Sequence, residues 1–532
     1  MSSEGRLQSL LARVVSRDTV LTVVAALIAA SMLVPLAWLF VDARDIGARA
    51  FELLLAPTTL RVLGRSVALV AVVTAATVVL GVSLAVLTVQ TDLPFRRFWT
   101  VVTALPLVIP SYLGAFAALS AFGRGGLLSE LLGTTVPPLT GFTGTAVVMT
   151  LYTYPYVYLT TRASLLSLDA SLVRAARSLD ATRREAFRRV TLPQITPGIA
   201  AGALLVALYT LSDFGTPNFM RLQVFTQFIY ARYVHATDYA VVLSLELIAV
   251  TAGIILLQSR IGADRSGAYA SGGQRGATKL SLGKWRYPAM ALPAAVATAA
   301  LVAPLTIFCL LLFREDAGYV SEPSFAWSYA VDSVTVSLLA AVAAVLVALP
   351  IALQAAQSDS RLAWLADRAA YVGFAVPGIV LGIALVSFGL DVLPWLHKTL
   401  PILIFAYVVR FMPQALGSIR TSILQVDRNL VAAARTLGKS PAAAFRSVTL
   451  PLIAPGMATG AALVFLTTMK ELPATLILQP YGFKTLVLYI WEVREAGLYG
   501  RAAVPALVLV FVSALSMAVI LLSETSGDTG GK

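Results

Sequence analysis

Charge is scarce along this chain. Asp, Glu, Lys and Arg make up 13% of the 532 residues, while 58% are hydrophobic. A water-soluble globule ordinarily carries about 25% charged residues, so that class is excluded first. There is one cysteine, Cys309, inside an apolar run, so no intrachain disulfide framework is possible. The two histidines, His235 and His397, stand alone without partners at metal-ligand spacing, and no metal centre is expected. The chain also lacks a G-x-x-x-x-G-K-[ST] phosphate loop. The terminal Gly527–Lys532 string has the wrong spacing and no hydroxyl residue after its lysine. No nucleophile motif and no carboxylate pair at catalytic spacing stands in the apolar runs. An enzyme is therefore not expected, and any ATP would be hydrolysed elsewhere.

What is abundant is long apolar sequence. Runs of about 20 apolar residues are long enough to cross a bilayer. They are Thr19–Val41, Val67–Val89, Phe142–Thr160, Ala200–Leu211 with its flanks, Val241–Leu257 and Tyr287–Phe313. Val334–Ala355, Ala369–Leu390, Pro401–Pro413, Met457–Thr468 and Ala502–Leu522 continue the series. Trp99–Phe122, interrupted by Pro106 and Pro110, is read as one more, giving about 12 spans. Lipid offers the backbone no hydrogen bonds, so such spans must be helices. The expected fold class is all-α, a polytopic membrane protein. The first run follows Arg6, Arg13 and Arg17, but it is too long for a removable signal and is read as a retained anchor.

Taking the amino terminus as cytoplasmic, alternation puts about 23 Lys and Arg residues inside against about 10 outside. That is the usual positive-inside bias. It places a multi-pass chain in the cell's inner or plasma membrane with both termini cytoplasmic. Topology then accounts for the net charge of +13, and no nucleic-acid partner is expected.

The chain is written twice. Ser66-Val67 matches Ser333-Val334, Thr91-Asp92 matches Ser358-Asp359 and Phe122-Gly123 matches Phe388-Gly389. The halves are residues 1–258 and 286–532, joined by a Gly/Ser-rich stretch, 259–285, read as a flexible cytoplasmic linker. An even number of spans in each half gives the two the same orientation, hence parallel repeats about an axis along the membrane normal. The most faithful copy is a polar loop. Arg174–Gly198 and Ala432–Gly456 align without a gap, 258 positions apart. A polar loop duplicated in so apolar a chain suggests a docking surface for a partner that itself comes in two copies.

Each loop begins with a short amphipathic helix, on which Ala175-Ala176 or Ala433-Ala434 keeps one face thin. Gly438 is suited to a turn at positive φ, and Asp180, at the same place in the first copy, is among the residues that tolerate it. A second short helix ends on Phe187 or Phe445, whose ring is expected to fill a pocket. Thr191-Leu192-Pro193 and Thr449-Leu450-Pro451 read as helix starts, with Thr capping and Pro in the first turn.

This pattern, Ala-Ala, a turn, Phe and Leu-Pro at fixed spacing, resembles the signature loop of binding-protein-dependent ABC import permeases. Arg174 and Ala432 stand where the family has Glu, and Asp180 replaces Gly in the first copy. The resemblance covers nearly the whole chain and implies two parallel six-helix repeats of the type I importer permease. It implies that two copies of an ATPase subunit grip Arg174, Ala175, Ala176, Asp180, Phe187 and Pro193, and Ala432, Ala433, Ala434, Gly438, Phe445 and Pro451. It further implies an extracytoplasmic substrate-binding protein, and ATP bound on the partner subunit with no cofactor on this chain. The strings LYTLSDFGTPNF, TTMKELPATLIL and GLYGRAAVPALVLV are similar to those of ferric-iron permeases. Thiamine, aminoethylphosphonate, sulfate and polyamine permeases are the competing readings.

Asp213 and Glu471 form a matched pair at the end of the span after each loop, about 20 residues beyond Pro193 and Pro451 and so near the outer face. A hard trivalent cation prefers oxygen ligands, so these carboxylates, with Ser212 and Tyr209 nearby, are candidates for the substrate pathway. The plainer reading is an interfacial pair, with Glu471 neutralising Lys470 and Asp213 in headgroup water. Tyr209, Tyr152 and Tyr154 could offer phenol oxygens, but tyrosines near bilayer edges are mostly aromatic-belt anchors. A proton-coupled secondary carrier is the alternative of another class; it would not need the duplicated loops and usually places ionisable residues mid-span, where Glu246 is the main one here.

Overall fold

The computed structural model describes residues 17–123, 125–168, 170–180, 182–263, 280–313, 324–357 and 361–528. The basic residues before Arg17, most of the linker and the Ser358-Asp359 match lie outside them. Among the described residues the chain is helical almost throughout, and the only bridge between extended residues joins Thr91 to Leu280. Among the described residues nine helices are long and apolar enough to cross a membrane, or up to eleven if each of two bent pairs counts as one span. The bent pairs are Arg96–Val108 with Ser111–Leu132, at 88°, and Trp364–Ala375 with Gly378–Val392, at 108°. The expected twelfth span is the 26-residue helix Gly141–Leu166, which is long enough but carries four tyrosines and several threonines.

Several hydroxyl residues in these helices bond back along their own backbone. Ser66 donates to the carbonyl of Val62 (2.8 Å), Thr88 to Leu84 (2.8 Å) and Thr153 to Met149 (2.7 Å). Such bonds satisfy polar side chains where water is absent.

The chain forms two compact units that do not coincide with its two halves. One comprises Met1–Gly47, Pro323–Glu492 and Val508–Lys532; the other comprises Ala48–Glu322 and Val493–Leu507. In the first unit, the helix Arg17–Ile46 packs against Ser328–Gln357, Arg361–Ala375 and Gly378–Val392. Trp38 Nε1 donates to Asp391 (2.9 Å), Ser387 to Asp42 (2.5 Å) and Gln354 to Thr22 (2.6 Å). In the second unit, Phe308 of Pro288–Leu311 stacks on Phe116 at 6.1 Å between centroids. The opening helix of each half thus completes the core built by the other half.

Each unit has a central pair of crossed helices. Gly141–Leu166 packs on Leu192–Ser212 in one, and Leu400–Gln425 on Leu450–Met469 in the other. A Cβ on Gly202 would lie 2.6 Å from the Cα of Val157, and one on Gly460 would lie 2.8 Å from the Cα of Ala415. One turn earlier, a Cβ on Gly198 would meet Ser164 Oγ at 2.1 Å, and one on Gly456 would meet Ser422 Oγ at 1.9 Å. Small residues four apart let apolar helices approach closely where lipid provides no hydrophobic drive.

Candidate functional site

The two loops fold alike, residue for residue. In the first copy, helix Ala170–Ser178 is followed by Asp180 at φ 60°, then Arg183–Ala186. In the second, helix Arg428–Thr436 is followed by Gly438 at φ 84°, then Pro441–Ala444. The left-handed residue is where the sequence placed it. In the second copy the amide of Lys439 reaches back to the carbonyl of Ala434 (3.2 Å), closing the helix end across the glycine.

Capping chemistry differs between the copies. The Thr182 amide and hydroxyl both donate to Glu185 (2.9 Å each), and the Glu185 amide donates back to the Thr182 hydroxyl (3.2 Å). This reciprocal box starts the second short helix and, with Arg189 adding to it, holds the exposed Glu185 carboxyl below its ordinary range. In the second copy, Ser440 accepts from the amide of Ala443 (3.3 Å), and Asp427 caps the preceding helix through the amide of Asn429 (2.8 Å).

One expectation fails. Thr191 and Thr449 do not cap a helix: both are helical, at φ −66°, and neither side chain makes a capping bond. The helix instead runs through a widened turn, Phe187–Thr191 or Phe445–Thr449, in which Leu192 donates to the carbonyl of Phe187 and Leu450 to that of Phe445. Those bonds span five residues. Proline supplies the reason: Pro193 and Pro451 have no N–H, and their rings would clash with the carbonyl four residues back in a regular helix. A wide turn just before the proline relieves both problems; such turns are rare and are frequently found at functional sites. Pro304, two residues beyond the similar turn Thr298–Val302, repeats the solution.

Phe187 and Phe445 are half-buried within the chain, while Ala176 is half-buried and Ala434 is buried. Arg174, Ala175, Ala432 and Ala433 are exposed.

Each loop leads to a carboxylate. Asp213 directly follows helix Leu192–Ser212, and its carboxylate accepts from the amides of Gly215 (3.0 Å) and Thr216 (3.4 Å) and from the Ser111 hydroxyl (3.0 Å). Ser111 also lies 2.9 Å from the Tyr209 hydroxyl, bringing Tyr209 and Asp213 into one network, with half-buried Ser212 beside them. Glu471 is buried and accepts from the amide of Ala474 (3.2 Å). Its ionic partner is Arg410, 3.6 Å away, and not the adjacent Lys470 as expected. Asp213 likewise sits in a bonded turn and not in headgroup water.

The tyrosines of Gly141–Leu166 are not belt anchors. Tyr152 and Tyr154 are buried, donating to the carbonyls of Ala300 (3.0 Å) and Thr103 (2.7 Å). His235 is exposed, and Cys309 is free and exposed on its helix. Half-buried His397 is held below its ordinary range by burial and by Lys398.

Apolar helices in two matched sets, each carrying one polar loop built to the same plan, define a duplicated membrane permease. The chain belongs to the binding-protein-dependent transport system inner membrane component family, whose pattern matches residues 77–264 and again 344–525. It is a multi-pass permease subunit of an ABC transporter and not an enzyme. It is 30% identical over 507 residues to the Fe(3+)-transport system permease protein FbpB 2 of Haemophilus influenzae, covering 93% of this chain and 96% of that protein. It is 24% identical to the ferric transport system permease protein FbpB of Actinobacillus pleuropneumoniae, over 88% of this chain and 72% of that one. It is also 31% identical to the molybdenum transport system permease protein ModB of Mycobacterium bovis, over 39% of this chain and 81% of that protein.

Proposed function

We propose that this chain is the fused permease of an ATP-driven importer that takes up ferric iron from an extracytoplasmic binding protein. The observation that carries the importer reading is the loop built twice to one plan, from a left-handed turn through a widened helical turn to Leu-Pro, in a chain of this family. Iron is supported by the near full-length similarity to permeases named for Fe(3+) transport. Two copies of one ATPase subunit hold the two loops from the cytoplasmic side, and ATP binds on that subunit alone. Both termini are cytoplasmic, in the direction of the positive-inside bias. Closure of the ATPase pair favours one arrangement of the permease and so biases a two-state equilibrium. Asp213, Glu471, Ser212 and Tyr209 lie along the substrate route, where the two carboxylates fix the turns at the outer ends of the spans.

The test is reconstitution in proteoliposomes with the ATPase subunit and the binding protein. ATP-dependent accumulation of labelled ferric iron, outcompeting thiamine, aminoethylphosphonate, sulfate and polyamines, is the expected result. Uptake of one of those solutes without iron overturns the substrate. Changing Gly438 and Phe445 together is expected to separate ATP hydrolysis from uptake. Labelling of thiols engineered into either loop from outside intact cells would overturn the orientation.

A further inference from the structure

Resting on the importer reading above, we infer that the ATPase subunit grips each loop by an outward stripe of two leucines, with Leu179 and Leu437 as the anchors. The first helix of each loop turns two different faces to its surroundings. Val173 and Ala176 face inward in the first copy, as Val431 and Ala434 do in the second. Leu172, Ala175 and Leu179 face outward, and so do their counterparts Leu430, Ala433 and Leu437. Positions i, i+3 and i+7 share one side of a helix. The exposures repeat closely between the copies: 48% and 49% for Leu172 and Leu430, and 83% for both Leu179 and Leu437.

A leucine that is 83% exposed is ordinary when single. Here two such leucines stand at the same step of two independent loops, each just before the left-handed residue that turns the chain back. The helix end therefore pushes the leucine forward. The alanine between the leucines leaves a shallow saddle, so the stripe presents a knob, a gap and a knob. Phe187 and Phe445 are already half-spent inside the chain and act as struts behind the stripe.

Charge specifies the occupant. Arg177 and Arg435 flank the stripe at matched positions, and Arg188 and Arg446 repeat this on the following turn; all four are exposed. The partner surface is thus an apolar trough with sockets for leucine and carboxylates on its rim. Because the two stripes are equivalent, one such surface in two copies serves both. The remaining cations differ between copies, since Arg174, Arg184 and Arg189 are matched by Ala432, Ala442 and Ser447. The common features therefore carry recognition.

The experiment uses the full chain in nanodiscs and the ATPase subunit that copurifies with it. Leu179→Asp or Leu437→Asp alone is expected to weaken ATPase binding about tenfold or more, and both together to abolish copurification, as for an anchor in an interface centre. Melting of the permease is expected to stay unchanged, because neither side chain packs within it. Phe187→Ala with Phe445→Ala should lower the melting temperature instead. Unchanged ATPase binding by the double aspartate variant overturns the inference and leaves the importer reading standing. A melting loss as large as that of the phenylalanine variant also overturns it, as does an effect confined to nanodiscs of anionic lipid, which would make the stripe a headgroup contact. Failure of any ATPase to copurify with the wild-type chain overturns the importer reading itself.

Discussion

Arg410 and Glu471 face each other at 3.6 Å across the end of a span, 15% and 7% exposed, where the first half of the chain has Tyr152 and Asp213. The residue that makes room for them is Gly378: a Cβ there would lie 2.0 Å from Arg410 Nη1 and 2.5 Å from Glu471 Oε1. Its counterpart in the first half is Ser111, whose hydroxyl instead bonds Asp213. The two halves thus solve one problem, a carboxylate at a helix end, with different chemistry.

Removing one member of a buried ion pair leaves an unbalanced charge, at a cost of about 3–5 kcal/mol, whereas replacing both with apolar residues is often neutral. Glu471→Leu is therefore expected to lower the thermal stability of the detergent-solubilised chain sharply. Adding Arg410→Met should restore most of it. Equal melting of the single and double variants would show that the pair is not coupled.

Gly378→Ser would give the second half the serine of the first, but its Cβ has no space. We expect loss of about 1–3 kcal/mol from the forced displacement of Arg410. The reverse change, Ser111→Gly, loses one hydrogen bond to a carboxylate, about 1.5–3 kcal/mol. Thermal unfolding of both variants, with Asp213→Asn beside Ser111→Gly, separates crowding from the lost bond.

Gly202 and Gly460 lie where two helices of their units approach closely. Gly202→Val and Gly460→Val are each expected to destabilise the crossing by about 1–3 kcal/mol or more, because each new Cβ would press on backbone, Val157 Cα at 2.6 Å and Ala415 Cα at 2.8 Å, and at Gly202 on the Thr160 hydroxyl as well. Cysteine crosslinking between Gly141–Leu166 and Leu192–Ser212 would report the separation. An unchanged crosslinking pattern would count against the close approach.

At Asp180 the left-handed turn is held by a residue with a side chain. Asp180→Gly is expected to stabilise the first loop slightly, and Gly438→Val to destabilise the second by about 1–2 kcal/mol. Amide hydrogen exchange over each loop would read both effects.

Glu185 gives the start of the helix Arg183–Ala186 a dependence on pH. Its carboxyl is held below its ordinary value of 4.5 by the Thr182 bonds. The folded form therefore releases its proton more readily, and the stabilisation is fully present above the unfolded pKa and lost as pH falls through the folded one. The protection factor of the Thr182 amide, its exchange referred to the intrinsic rate at each pH, should fall in acid in the wild type. In Glu185→Gln that protection factor should not change over the same range, and neither should the one at Ala443, whose cap is the hydroxyl of Ser440.

Much of this was legible in the sequence. The apolar runs mark nearly every long helix, because a bilayer-length stretch without charge has few other uses. The 258-residue offset located both loops, and the left-handed turn at Asp180 and Gly438 followed from residue type alone. The Thr-Leu-Pro steps were misread, since a proline that starts a helix and one tolerated after a widened turn look identical in a string. Leu172 and Leu179 share helical spacing with Val173 and Ala176, and the string does not say that the two leucines are left exposed while the other pair is half-buried.

By itself the sequence determined the class of fold, the duplication, the position of the loops and the carboxylate that follows each one, because these depend on composition, period and repeat. Only the tertiary structure decided that the two halves exchange their opening helices, that Glu471 takes Arg410 and not Lys470, and which side of each loop helix is left bare. Those outcomes depend on which residues far apart in the chain come within a few ångströms of one another, and an offset between copies carries no such distances.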